Sequence, residues 1–156
     1  MEIYLLNASS KVGEQQASDL LKLHYRYLDH QATLLKIKMA VPKLNARQLI
    51  EGNCVVLVYL DGVAVGYCSY RNRNGSLKIR SLYVLPDYRQ RGVMKEIFKA
   101  IAADEAFSEI VVGMYAKCKE AKEYFIRRGY QAVYSRDRES VSYTHLRAHE
   151  TLRHLV

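Results

Sequence analysis

The sequence predicts a single mixed α/β domain. Three observations carry that expectation. Apolar residues switch along the chain between helical and strand spacing. The pair Asp61-Gly62 sits between two apolar runs, as a two-residue hairpin turn would. A strand pattern, a glycine and a helix pattern then follow one another between residues 77 and 106. The length of 156 residues suits one domain with its own core.

In chain order, residues 14–28 place Ala17, Leu20, Leu21, Leu23, Tyr27 and Leu28 on a helical stripe. A short helix is expected over 43–51, with Asn45 as its cap and Gly52 as its stop. Cys54 to Leu60 and Val63 to Tyr70 read as an antiparallel hairpin. Residues 71–75 read as a polar turn into a third strand, Leu77 to Val84, which Pro86 ends. Helix spacing returns from Val93 to Ala106, with Met94, Ile97, Phe98 and Ile101 on one stripe. Glu109 to Tyr115 is a strand, Lys119 to Arg128 a helix stopped by Gly129, and Tyr130 to Ser135 a further strand. No repeat and no Gly-, Ser- or Pro-rich linker interrupts the series.

Composition narrows the class. No apolar run approaches a membrane span, and the first residues lack the basic and apolar regions of a signal peptide, so a cytoplasmic protein is expected. Cys54, Cys68 and Cys118 are odd in number and lack metal-ligand spacing, which favours reduced thiols. An unbroken hairpin would set Cys54 opposite Ser69 and Cys68 opposite Val55, turning the two thiols to opposite faces. The formal charge of +8 suits a nucleic acid, a polyanionic cofactor or a solvated basic surface alike.

The most informative stretch is the loop Leu85-Pro-Asp-Tyr-Arg-Gln-Arg-Gly-Val-Met94 between strand and helix. A glycine there lets backbone N–H groups turn toward an anion, and the helix dipole adds positive potential. Arg89 and Arg91 add formal charge. A tight turn with a solvated arginine pair would have the same sequence.

This segment resembles the coenzyme A loop of the GCN5-related N-acetyltransferase (GNAT) family. The family pattern is Arg or Gln, two residues, Gly, one residue, then Gly or Ala; here it is Arg89-Gln-Arg-Gly92-Val-Met94. Downstream, Ala121-Lys-Glu-Tyr-Phe125-Ile-Arg-Arg-Gly129-Tyr130 resembles the family helix Asn-x-x-Ala-x-x-x-Tyr-x-x-x-Gly-Phe. The resemblance covers about residues 1–136. It implies the GNAT fold, a mixed and mostly antiparallel sheet flanked by helices and splayed at the cofactor site.

The resemblance further implies an N-acetyltransferase with acetyl-CoA as co-substrate. Gln90, Arg91, Gly92, Val93 and Met94 would cradle the pyrophosphate, and Arg89 opens the motif. The pantetheine arm would lie along Leu82, Tyr83 and Val84, whose N–H groups would meet the developing oxyanion. Cys118, Ala121 and Phe125 would border the cofactor. The acceptor would be a small-molecule or peptide amine, the protein a monomer or homodimer, and no metal is called for. In this family the acceptor pocket comes from the first two helices and their connection, here roughly residues 28–44.

The sequence departs from the family at informative places. Phe125 stands where the family has the tyrosine that protonates the leaving thiolate, and phenylalanine has no proton to give. Tyr124 is the nearest replacement, although one residue is about 100° of helix rotation. Tyr83, Tyr115 and Tyr130 are other possible donors. Cys118 stands where Asn is frequent, and Met94 replaces a small residue. No carboxylate lies on 77–84, so the base is unassigned, and His24 and His30 read as structural or surface residues.

Residues 141–156 resemble a translated sequencing-adaptor segment, with Val141 to Thr151 carrying the resemblance, so the domain is expected to end near Ser140. Val141 to Leu146 nevertheless suit a strand beside 130–135. His145 and His149 have metal-binding spacing on a helix but no third ligand. Two readings stand beside the acetyltransferase. One is a CoA-binding module impaired by Phe125. The other is an acyltransferase for an RNA-linked amine, drawing on Arg71, Arg73, Lys78, Arg80, Arg89 and Arg91 gathered at one sheet end, with Tyr70, Tyr83 and Tyr88 as stacking surfaces.

Overall fold

The computed structural model describes residues 1–38, 43–115, 117–134 and 140–146. The elements run β1 (Glu2–Leu6), α1 (Glu14–Leu35), α2 (Ala46–Ile50), β2 (Cys54–Leu60), β3 (Val63–Arg73), β4 (Ser76–Val84), α3 (Val93–Asp104), β5 (Glu109–Tyr115), α4 (Lys119–Arg127), β6 (Gln131–Tyr134) and β7 (Ser140–Leu146). One seven-stranded sheet holds them in the order β1-β2-β3-β4-β5-β7-β6. The β4–β5 pair is parallel and the other pairs are antiparallel. Among the described residues no helix is long and apolar enough to cross a membrane.

Two apolar layers cover the sheet. On one face α1 and α2 bring Leu20, Leu23, Ala46 and Ile50 onto Leu6, Val55, Leu57, Tyr67 and Tyr83. On the other, Val93, Ile97, Phe98 and Ile101 of α3 and Phe125 of α4 pack on Val56, Val58, Leu77, Ile79 and Val112. The Asn45 side chain accepts from Gln48 N–H at 2.9 Å, and the Gln48 side chain accepts from Asn45 N–H at 2.8 Å. Such a box stabilises a helix start by about 1 kcal/mol, which explains how five residues hold α2.

Several boundaries differ from expectation. Glu2–Leu6, which sequence reasoning left unassigned, is a strand held on β2. α1 runs on to Leu35 and ends at a left-handed Lys36. The polar stretch 71–75 is mostly strand, and the turn shrinks to Asn74 and Gly75, with φ of 53° and 89°. α3 stops at Asp104. There Glu105 turns aside to accept from the Asn72 amide, and Phe107 enters the core. Ser135, expected as the end of a strand, lies outside the described residues.

Two β-bulges reset the faces of the sheet. The Asp61-Gly62 turn forms as expected, but Val65 is an extra residue in β3. Cys54 therefore lies opposite Tyr70 and Cys68 opposite Val56, correcting the unbroken register and turning both thiols to the α3 face. They remain free, because they occupy diagonal positions on neighbouring strands, about 7–8 Å apart and beyond disulfide reach. The second bulge is Arg80 in β4. It moves Leu82 and Val84 to the α3 layer and Tyr83 to the α1 layer.

Residues 140–146 form the strand between β5 and β6, antiparallel to both. Tyr143 and His145 are buried there, and the His145 ring lies 4.8 Å from that of Tyr130. His149 lies outside the described residues.

Candidate active site

β4 and β5 are paired only from Ser76–Glu109 to Ile79–Val112. Past that point β4 follows β3 to Val84, while β5 follows β7 to Tyr115, so the sheet parts between them. Leu85 N–H donates to the Val65 carbonyl on β3 at 2.8 Å. Strand alternation then directs the backbone groups of Tyr83 to β3 and those of Leu82 and Val84 into the gap. Arg89 bears out this geometry, because its Nε–H donates to the Val84 carbonyl at 2.9 Å.

The gap opens into a cleft of about 1400 Å³. Leu82, Tyr83, Val84, Arg89, Gln90, Gly92, Val93, Met94, Cys118, Ala121, Tyr124 and Phe125 all line it. Arg91 does not; its guanidinium is 5.3 Å from the Tyr88 ring centroid. The structure thus brings together every site residue expected from sequence except Arg91.

The loop is shaped for an anion. Gln90 and Gly92 both have left-handed backbones, at φ 62° and 81°. Alternating left-handed residues turn successive N–H groups into one concavity. The first bond inside α3 runs from Glu96 N–H to the Gly92 carbonyl, and no side chain caps the helix. The N–H groups of Val93, Met94 and Lys95 therefore point forward without helical partners. A β-carbon at Gly92 would meet nothing within 4 Å, so a larger side chain would project into open space and not into core.

α4 forms a second wall. Phe125 is 1% exposed and packs edge-on against Phe98 and Tyr130. Tyr124 is half-buried on the cleft, with the Arg128 guanidinium 3.6 Å from its ring centroid. Cys118, just before α4, is buried; burial pushes its thiol up, while a hydrogen bond with the Gln31 side chain acts the other way.

The third wall comes from α1 and overlaps the 28–44 stretch expected to form the acceptor pocket, although no single residue of it was named as lining. Tyr27, His30, Gln31 and Leu34 of α1 line the cleft at i, i+3, i+4 and i+7. That spacing was the available signal, but two polar residues in the stripe hid it. His30 is half-buried, with its ring 5.9 Å from that of Tyr83. Burial, then the Arg89 guanidinium, holds its pKa below the ordinary value, against opposing effects of Glu120 and Asp29. Burial pushes the Tyr27 hydroxyl up to about 12, so it stays protonated. His24 lies deeper, its Nδ1 2.7 Å from the Tyr67 hydroxyl.

The six cations expected at one sheet end divide. Arg71, Arg73 and Lys78 lie toward the start of β4, Arg80 stands at its middle, and Arg89 binds its far end, roughly 20 Å of strand from Lys78. The stacking surfaces also fail to form. Tyr70 and Tyr83 are 1% and 6% exposed, buried in opposite core layers, and Tyr88 is half-buried.

A mixed sheet parted between two parallel strands, with an anion-ready helix start at the mouth of the gap, is the architecture of an acyltransferase. Residues 19–135 match the acetyltransferase (GNAT) family, and the chain belongs to that family. No curated protein matches it by sequence. Solved structures show the same fold. An acetyltransferase from Thermus thermophilus superposes with a TM-score of 0.70 at 16% identity, covering 94% of this chain and 97% of that one. The PaiA N-acetyltransferase of Thermoplasma acidophilum, solved with coenzyme A, gives 0.72 at 10% identity over 94% and 99%. A GNAT-family acetyltransferase from Staphylococcus aureus gives 0.66 at 14% over 93% and 99%.

Proposed function

We propose that the protein transfers an acetyl group from acetyl-CoA to a primary amine. The observation that carries this reading is the convergence on one cleft of an open β4 edge and the uncapped N-terminus of α3. The cleft exceeds the ~300–1,000 Å³ of ordinary small-molecule sites, as suits a donor and an acceptor bound together. The structural likeness to a protein solved with coenzyme A supports the same donor.

Acetyl-CoA supplies the activated acyl thioester. The N–H groups from Gln90 to Lys95 hold its pyrophosphate, with the α3 dipole behind them. The backbone of Leu82 and Val84 orients the pantetheine arm as an added strand would be oriented, and an N–H on this edge stabilises negative charge on the carbonyl oxygen. His30, uncharged at neutral pH and on the α1 wall, takes the amine proton directly or through water. Tyr124, beside Arg128, returns a proton to the departing thiolate. Phe125 fills the core and takes no part in proton transfer.

Calorimetry with acetyl-CoA tests this reading. One site per chain is expected, lost in Gly92→Glu; equal affinity in the variant would overturn the loop assignment.

A further inference from the structure

The α1 face of the sheet is only partly covered. α1 and α2 sit over β1, β2, β3 and the far end of β4. Beyond Ser69 and Ser81 the same face continues through Arg71, Arg73 and Lys78. Arg80 belongs to it as well: Ile79 and Leu82 occupy the α3 layer on either side, so the exposed bulge residue projects the other way, beside Ser81. Bulges re-aim side chains in this manner near active sites.

The resulting strip is strongly basic. Arg71 lies directly opposite Lys78, a like-charge cross-strand pair that costs stability. Arg71 donates from Nε to the Gly52 carbonyl, and the ion pairs among the described residues involve Arg89 and Arg127, not Arg73, Lys78 or Arg80. Glu109, beside Ser76 on β5, brings a carboxylate to the same end of the face. The facing register positions on β5 and β7 are neutral, with Val111, Gly113, Ser142 and Thr144, and the carboxylates that line the cleft, Glu120 and Glu123, belong to α4, where Glu120 pairs with Arg89. On the adjoining α1 wall the cleft presents Tyr27, His30 and Gln31 with no acid; Asp29 beside His30 is exposed.

Arg80 joins strip and cleft, since it lines the cleft together with Ser81, Gly113 and Ser142. It stands two residues before Leu82, about 7 Å along the strand. We propose that the acceptor amine carries an anionic group, a carboxylate or a phosphate, that Arg80 binds while the amine enters the gap, with Lys78 and Arg71 extending the site for a more highly charged acceptor. This rests on the acetyltransferase reading and adds the substrate class. The position matters: Arg80 is on the α1 side, apart from the loop that would hold the donor's phosphates. A nucleic acid fits less well, because the aromatic rings on β3 and β4, Tyr67, Tyr70 and Tyr83, are buried and offer no face to stack a base.

The test compares matched acceptors: the peptide Ala-Asp-Glu with Ala-Asn-Gln amide, and O-phosphoethanolamine with ethanolamine. With acetyl-CoA saturating, kcat/KM should favour the anionic member of at least one pair by tenfold or more, and the pair identifies the anion. Arg80→Gln should reduce that preference to within twofold and leave acetyl-CoA affinity unchanged; Lys78→Gln should weaken it less. Without donor, the anionic probes should shift the amide resonances of Arg80, Ser81 and Gly113, and the neutral ones should not. The proposal fails if neither pair shows a preference or a shift, if the preference survives Arg80→Gln, or if that change weakens acetyl-CoA. It also fails if a single-stranded oligoribonucleotide binds more tightly than both anionic probes. Absence of acetyl-CoA binding by the unaltered protein would instead defeat the acetyltransferase reading.

Discussion

The Arg89 guanidinium reaches the Val84 carbonyl from the open side of β4, 2.9 Å away. The same group lies 3.3 Å from Glu120 and 5.5 Å from the Tyr83 ring centroid, so one side chain ties the strand end to the start of α4. The motif arginine is thus a structural clasp at the mouth of the cleft.

Arg89→Met should therefore loosen the cleft. We expect about 1–2 kcal/mol loss of stability, chiefly from the Val84 hydrogen bond. Glu120→Gln should cost at most a few tenths of a kcal/mol, because the carboxylate is 85% exposed and the pair is screened. Urea unfolding of both variants checks the contrast.

Gly92 separates strain from obstruction. At φ 81° any side chain is strained, so Gly92→Ala should destabilise by roughly 1–2 kcal/mol. It should weaken acetyl-CoA only modestly, whereas Gly92→Glu adds a charge within the N–H concavity and should remove saturable binding. Equal binding by both variants would show that the concavity holds nothing.

The roles of the adjacent aromatics on α4 can be separated by mutation. Tyr124→Phe should lower kcat by about 10²-fold, within the usual range for a proton donor, with KM for acetyl-CoA little changed. Phe125→Ala should instead cost about 3–5 kcal/mol of stability as a buried aromatic. An unaltered kcat in Tyr124→Phe would move the proton donor elsewhere, with Tyr27, Tyr83, Tyr88 and Tyr115 as the other tyrosines lining the cleft.

His30 and His24 give opposite readouts of one kind of shift. Both imidazoles are held below 6.5, chiefly by burial. As the base, His30 makes kcat/KM level near neutrality and falling on an acidic limb below 6.5; His30→Gln should remove the limb and slow the reaction. For His24 the readout is stability. Because the unfolded chain binds the proton more readily, stability is full above 6.5 and declines as pH falls from there toward the depressed folded value. Replacing His24 by Gln should flatten that decline in urea titrations taken from pH 7 to 5.

Much of this architecture was legible because local signals were strong. Asp61-Gly62 specified its turn, Asn45 its cap, and Gly92 the junction of strand and helix. The bulge at Val65 was not legible, since one extra residue leaves no mark on a run as apolar as Val-Ala-Val-Gly-Tyr-Cys, and the bulge at Arg80 was marked by no more than two successive polar residues, Arg80-Ser81, in an alternating run. Yet each bulge reverses the faces of everything beyond it. Residues 82–84 were placed at the site by motif, while the layer each side chain enters followed from Arg80. The last turns of α1 were missed for a different reason: residues 28–44 were expected at the pocket, but His30 and Gln31 serve the cleft, and polar residues on a cleft-facing stripe mimic the end of a helix.

The strand order β5-β7-β6 also constrains how the molecule is made. β5 ends at Tyr115, but its partner begins at Ser140, after α4 and β6 have been synthesised. Until the ribosome has released residue 146, β5 presents a bare edge and β6 has no partner. Closure of this half of the sheet must await contacts between distant parts of the chain, a class of step that is slow in folding. The nascent domain therefore carries an adhesive edge until β7 is made, and exposed strands of that kind can pair with another chain.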